Sequence, residues 1–342
     1  MTFADFQRLG YALTEKEVRK YEREIIANYQ AAYRDISAAL QKQYLKVLSG
    51  IDPLNYYNEM MKYNRLNIML DQIVVDYYKY ANASGKATIK ALQTAFEDNY
   101  YRQQFATSWG ATSAKFTALP KSLIELATIG TDKTYQAVTK AVIDKFGQQP
   151  LYMPQVGSLS ALLADNARKE AEAVRRSIIS GLRNGNGYQT TARAVRDTIG
   201  FFYKEKGVDK VKGAMASAMR IVRTEGTRVL NAASFANSMQ LESQGLEVYK
   251  QWMSTLDNRT RDRHQSLDGQ KRAVDKPFEI SGDSAMYPGE FSSIALNVNC
   301  RCTSNTIVPG LEPDIRIGRD PITGENSVFG YQNYDEWRAA NE

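Results

Sequence analysis

Trp252-Met253-Ser254-Thr255-Leu256-Asp257-Asn258-Arg259-Thr260-Arg261-Asp262-Arg263-His264-Gln265-Ser266-Leu267-Asp268-Gly269 is the stretch around which the chain is organised. The residues leading into it, Leu246 to Met253, favour a strand by composition. Asp257-Asn258 then starts a turn that caps a short helix through Arg263-His264, and Asp268-Gly269 makes a second turn. Further on, Arg272-Ala273-Val274 and Asn305-Thr306-Ile307-Val308 read as short strands, separated by a loop-rich region marked by Pro277, Gly282, Pro288 and Gly289. Residues 246–310 are therefore predicted to form a small α/β module. It holds the only histidine of the chain, His264, and both cysteines, Cys300 and Cys302.

Upstream, Val211–Gly245 reads as one long helix. Its apolar line is Met215, Ala218, Val222, Val229, Ala232 and Ala236, and Glu225 falls on that line with Arg223 beside it. A carboxylate directed at a core is destabilising unless a cation or several donors compensate it. Arginines of the Asp257–Arg263 run are the expected compensators. Arg223, Glu225, Asp257 and Arg259 are thus predicted to form a polar clasp between helix and module.

Arg223-Thr224-Glu225, Trp252 followed by Asp257-x-Arg259-Thr260 and His264, Pro288-Gly289, and Asn299-Cys300-Arg301-Cys302 form an ordered set. In combination they resemble the phage Mu F-like minor head proteins, or head-morphogenesis proteins, over roughly residues 180–310. The resemblance implies a minor head protein of a tailed bacteriophage, made in the bacterial cytoplasm and located in the virion. Its implied partners are the portal protein or the major capsid protein, and its work is binding rather than turnover. It also implies a zinc site, since such proteins often carry cysteine at the positions of Arg261 and His264, completing four ligands with the Cys-x-Cys pair. Here His264, Cys300 and Cys302 are the candidate ligands and Arg261 cannot ligate, so no cofactor is required and zinc stays open. The alternative is a histidine hydrogen-bonded in its turn and two small buried thiols.

Enzymatic alternatives find little support. No Gly-x-Ser-x-Gly or phosphate-cradling loop occurs, and a single histidine excludes a His-His metal pair. A nuclease would rely on the loose set Asp257, Asp262 and Asp268. An ADP-ribosyltransferase-like effector injected with the genome could use Arg223 and Ser254-Thr255, but no Glu-x-Glu follows them.

The rest of the 342 residues reads as helix, so the expected fold is α+β and mostly helical. Thr14-Glu15-Lys16-Glu17 has the form of a capping box, ahead of Val18, Tyr21, Ile25, Tyr29, Tyr33, Ile36 and Leu40 at helical spacing. Gly50 and Asp52-Pro53 end that helix, and a second region runs from Leu54 to Trp109 with a break expected at Ser84-Gly85. Shorter helices are expected over Thr117–Gly147 and a linker over Gly147–Gly157. The 21 tyrosines, many in this half, suit either an interface or the rim of a helical core.

Ser158 opens a helix through Leu159, Leu162, Leu163, Ala167, Ala171, Val174, Ile178 and Leu182, closed by Asn184-Gly185-Asn186-Gly187. From Asn166 to Arg228 there are 14 Lys/Arg against 6 Asp/Glu. Arg168, Lys169, Arg175, Arg176, Arg183, Arg193 and Arg196 are the candidate contacts to double-stranded DNA, without sequence readout, or to an acidic partner. After Gly310 the balance inverts to 3 against 7, an acidic and irregular tail in which Tyr334–Trp337 could dock as a helix. The expected division is 1–150 long helices, 158–245 basic helical region, 246–310 module and 311–342 tail. No run of 18 apolar residues predicts a membrane span and no leader a signal peptide. A Cys-x-Cys pair is too short for a relaxed disulfide, which points to a reducing compartment.

Overall fold

The computed structural model describes residues 3–110, 114–119, 121–128, 159–205, 208–310, 312, 315–319 and 326–341. In chain order the helices are α1 (Phe3–Gln43), α2 (Tyr56–Met61), α3 (Arg65–Gly110), α4 (Lys121–Thr128), α5 (Leu159–Arg183), α6 (Tyr188–Ile199), α7 (Gly213–Ser243), α8 (Asp262–Gln265), α9 (Ile294–Asn297) and α10 (Tyr334–Asn341). The strands are β1 (Phe202–Glu205), β2 (Val208–Val211), β3 (Tyr249–Met253), β4 (Lys271–Ala273), β5 (Phe278–Ile280), β6 (Asp283–Ala285), β7 (Thr303–Ile307), β8 (Ile315–Arg319) and β9 (Asn326–Gly330). Long helices with small antiparallel sheets make this an α+β, mostly helical protein.

Contacts group the chain into two compact units that interleave along the sequence, unlike the four consecutive segments expected from composition. The helical unit is residues 19–90 and 159–222; the module-bearing unit is residues 1–18, 91–158 and 223–342.

In the helical unit the apolar stripes meet in one core. Ile25, Tyr29, Ala32, Ile36 and Leu40 of α1 are buried, as are Leu66, Met69, Leu70, Ile73 and Tyr77 of α3. Ala171, Val174, Ile178 and Leu182 of α5 join them, with Val195 and Ile199 of α6. Steps of three and four residues put each set on one helix face, so every helix buries a stripe and leaves its charged side to water. Among the described residues a buried charged group enters this core: the Glu170 carboxylate accepts from Tyr77 Oη at 2.6 Å, from Tyr29 Oη at 3.0 Å and from Asn166 Nδ2 at 2.6 Å. Burial pushes its carboxyl above the ordinary range, and the hydroxyl and amide donors offset this only in part.

Three expectations are corrected here. Residue Thr14 lies inside α1, which starts at Phe3, so the capping-box pattern does not mark a helix start. Gly85 does not break α3, because a lone glycine costs only about 1 kcal/mol against alanine in a helix interior. Between α6 and α7 the hairpin β1–β2, paired from Phe202↔Val211 to Glu205↔Val208, was not anticipated. Gly213 makes its return possible: φ is +71°, and a Cβ there would lie 2.6 Å from the Thr198 carbonyl oxygen. Of the helices expected over Thr117–Gly147, only α4 falls in the described residues, and the Gly147–Gly157 linker lies outside them.

In the module-bearing unit, β3 is the central strand of an antiparallel sheet ordered β4-β3-β7. The tail is more ordered than its composition suggests: β8 and β9 pair as a hairpin, and α10 covers the Tyr334–Trp337 stretch read as a docking helix. Tyr334 and Trp337 bury against Leu256.

Candidate functional site

Because side chains alternate along a strand, Lys250 and Trp252 share one face of β3. Trp252 is fully buried at the centre of a cluster with Leu267, Phe278, Phe291, Leu296, Cys300 and Cys302. Its ring lies edge-on to Phe278 (5.2 Å between centroids) and to His264 (6.0 Å). Around this apolar centre Asp257, Arg261, Asp268 and Arg301 are engaged in structural ties.

Asp257 is held mainly by Arg301, which lies outside its own run. Arg301 forks onto the carboxylate through both terminal nitrogens, Nη2 reaching Oδ1 at 2.9 Å. The Arg259 amide N–H and the Thr260 hydroxyl donate to Oδ1 at 2.9 and 3.2 Å. Burial alone would raise the Asp257 carboxyl, yet the Arg301 fork and these donors hold it below the ordinary carboxylate range. The Arg259 side chain is 65% exposed and its Nε stands 3.8 Å from Asp257, a rim contact. Glu225 also departs from expectation: its partner is Arg228, one turn along the same helix, at 2.8 Å. Arg223 is exposed. Of the four residues predicted as a clasp, Glu225 pairs with Arg228, and Asp257 pairs with Arg301 and, at 3.8 Å, with Arg259.

Two ties were missed in the sequence. Asp268 and Arg316 form an ion pair whose side chains are each 2% exposed. Arg316 Nη1 donates to Asp268 Oδ2 at 2.7 Å, and its remaining N–H groups reach the carbonyls of Ser254 (2.6 Å) and Gln332 (2.9 Å). Asp268 in turn accepts the amides of Ser254 at 2.7 Å and Tyr334 at 2.8 Å. The second tie is Asn231 of α7, which donates to the Cys302 carbonyl at 3.0 Å and accepts from the Ser304 amide at 2.8 Å. It satisfies backbone groups of the β7 edge, which marks the helix–module junction more directly than Arg223 or Glu225 does. Its only sequence signal is a polar residue in an apolar helix stripe.

His264, Cys300 and Cys302 do come together, all buried, with their ligand atoms within 4.8 Å of one another. His264 Nδ1 stands 3.4 Å from Cys302 Sγ and 3.6 Å from Cys300 Sγ. Zinc bonds of roughly 2.0 Å to nitrogen and 2.3 Å to sulfur set N–S edges of about 3.5 Å in a tetrahedron, so these donors fit three corners. Among the described residues no fourth His, Cys, Asp or Glu joins them. Arg261, at the position where a further cysteine would complete the set, donates instead to the carbonyls of Leu296 and Val298. The neighbouring Cys302 thiol draws the Cys300 thiol down, while Cys302 itself is raised by Cys300 and by burial.

The candidate basic contacts all lie in the helical unit. Arg168, Arg175, Arg176 and Arg183 recur at seven- and eight-residue steps along α5. Several already have local partners: Arg168 and Lys169 meet Asp165 at 2.9 and 2.6 Å, and Arg175 approaches Asp71 at 3.9 Å. Arg183 stacks over Tyr57, while Arg196 stacks over Phe201 and pairs with Asp197. Arg176 and Arg193 are exposed.

Fold and site define a small α+β module fastened by buried polar ties to a long helix. Residues 172–305 match the family described as Phage Mu protein F like protein. It is 24% identical over 332 residues to minor head protein GP7 of Bacillus phage SPP1, covering 94% of this chain and 96% of that protein. It is 35% identical over 169 residues to the NAD(+)–arginine ADP-ribosyltransferase EFV of Enterococcus faecalis. That match covers 49% of this chain and 31% of the transferase, so the aligned part spans about a third of the longer relative. No solved structure matches.

Proposed function

We propose that this chain is a minor head protein of a tailed bacteriophage, a structural component of head morphogenesis that resides in the virion. The carrying observation is the collinear likeness to the SPP1 minor head protein over nearly the whole of both chains. The geometry supports a binding role, since Asp257, Asp268 and Arg301 of the module are spent on ties that hold it together. Portal protein or major capsid protein is the proposed partner. The α5–α6 arginines, above all exposed Arg176 and Arg193, are the proposed contacts to packaged DNA or an acidic surface. Mass spectrometry of purified particles tests the reading: the protein is expected at fixed stoichiometry in filled heads, and its absence from particles overturns it.

His264, Cys300 and Cys302 are proposed to hold zinc when it is bound, as a buried staple between the α8 turn and the segment entering β7. Metal analysis of the purified chain is expected to find one zinc per chain, lost on replacing Cys302 by Ser; metal well below one per chain rejects the site.

The partial likeness to an arginine ADP-ribosyltransferase favours a second reading. Against it, the Ser254 hydroxyl donates to the His264 carbonyl at 2.6 Å and the Thr255 hydroxyl to the Arg301 carbonyl at 2.8 Å, both structural uses. A nuclease meets the same obstacle, with Asp257 and Asp268 already bound by arginines. Incubation with labelled NAD and an arginine acceptor is expected to give no transfer; transfer above a heat-inactivated control would install the enzyme reading.

A further inference from the structure

Lys250 and Glu290 lie in the module but belong to none of the ties above. Lys250 is 2% and Glu290 3% exposed. The Lys250 ammonium sits between two rings, 4.9 Å from the Phe235 centroid and 5.2 Å from that of Phe278, and donates to the Met286 carbonyl at 2.9 Å. Glu290 Oε2 accepts the amide N–H of the same residue, Met286. Both backbone groups of Met286 are therefore satisfied by buried titratable side chains. Glu290 Oε1 has no hydrogen-bond partner among the described residues. The turn between them is tightly seated: Gly289 has φ +95°, and a Cβ there would come within 3.0 Å of Arg228 Cα on α7.

We infer that Lys250 and Glu290 form a proton-linked latch that fastens the Met286–Glu290 turn to strand β3 by holding both backbone groups of Met286. Burial pushes the Lys250 amine down to about 7, against the pull of Glu290, Asp275 and Glu242. Burial likewise pushes the Glu290 carboxyl up to about 8, offset in part by the Met286 and Tyr287 amides and the charges of Lys250 and Arg228. The groups facing the pair are Glu242, Arg228 and its partner Glu225 from α7, Asp275 from the turn after β4, and Tyr287 within the turn. Rings and backbone surround the amine where solvent would otherwise stabilise its charge, so a change of proton count here acts on packing.

The linkage has two limbs. Glu290 binds its proton more tightly folded than unfolded, so its contribution to stability falls as pH rises from the unfolded carboxylate value to about 8. Lys250 binds its proton less tightly folded, so its contribution rises from about pH 7 to the unfolded amine value. The pair's contribution thus has a minimum between the two.

The test is a titration of the full chain, labelled with 13C-lysine and 13C-glutamate, with signals assigned through Lys250→Met and Glu290→Gln. Midpoints near 7 for the Lys250 side chain and near 8 for Glu290 are expected, with the Met286 and Tyr287 amides shifting over the same range. Thermal melts from pH 5 to 10 add a second readout: E290Q should flatten the falling limb and K250M the rising one. Should either variant fail to fold, the wild-type Met286 and Tyr287 amides, assigned by sequential backbone connectivity, still decide. Ordinary midpoints for both side chains, or turn amides indifferent to pH between 6 and 9, overturn the latch.

Discussion

Glu170 of the helical unit and Asp257 and Asp268 of the module-bearing unit are kept in their interiors by different means. In the helical unit Glu170 is surrounded by neutral donors, the hydroxyls of Tyr29 and Tyr77 and the amide of Asn166, one from each of three helices. In the module-bearing unit Asp257 and Asp268 each meet an arginine fork. A bundle with a broad apolar core can tolerate a carboxyl that protonates easily, because packing carries the stability. A module with short strands and loops relies on charged ties to bring distant segments together, at the risk that losing one partner strands the other. The same element thus fixes helix register in one unit and closes the chain in the other.

The severest test of this contrast is Arg316→Ala. Removing the cation leaves Asp268 buried and uncompensated, so a loss of about 3–5 kcal/mol is expected by urea denaturation. Much of it should return in the double variant with Asp268→Asn. A loss below about 1 kcal/mol would place the pair in solvent contact.

Asp257→Asn should cost less, about 1–2 kcal/mol at neutral pH, since the Arg301 side chain is only partly covered. Asp257 is held below its ordinary value, so its stabilisation is present above the unfolded carboxylate range and disappears as pH falls through the folded value. The variant should accordingly lose acid sensitivity in thermal melts.

Glu170→Gln reverses that sign. Its raised carboxyl stabilises the fold at low pH and progressively less as pH rises through the folded value. The amide variant should be as stable as wild type at pH 8 or better, by about 1 kcal/mol, with a flatter profile above pH 4. A steep loss would mean the charged form is the one the tyrosines hold.

The smallest change is expected for Arg259→Ala, within about 0.5 kcal/mol of wild type, as befits an exposed cation at 3.8 Å. A larger loss would restore the sequence-based clasp.

What could be read without coordinates follows from the range of each signal. The stripes of α1, α3 and α5 repeat every three or four residues, so Ile36, Ile73 and Ile178 were visible as core positions. The strand ending in Met253 and the meeting of His264 with Cys300 and Cys302 were legible from composition and from resemblance. Ion pairs were not. Asp257 finds Arg301, 44 residues on, and Asp268 finds Arg316, 48 residues on, and no local periodicity links such positions. Glu225 misled because Arg228, its neighbour one turn away, was passed over for a more distant partner. The β1–β2 hairpin escaped because β1, mostly exposed, lacks the apolar alternation that betrays a half-buried strand.

Asp268 carries one further consequence. The likeness to the family stops at residue 305, but this aspartate finds its counter-ion in β8 and a further amide donor at Tyr334. Whoever trims the gene to the matched segment, for crystallisation or as a portable domain, would leave a naked charge in an apolar hollow and uncover Leu256. Such a fragment is expected to express as insoluble material, whereas one carried through α10 keeps its own plug.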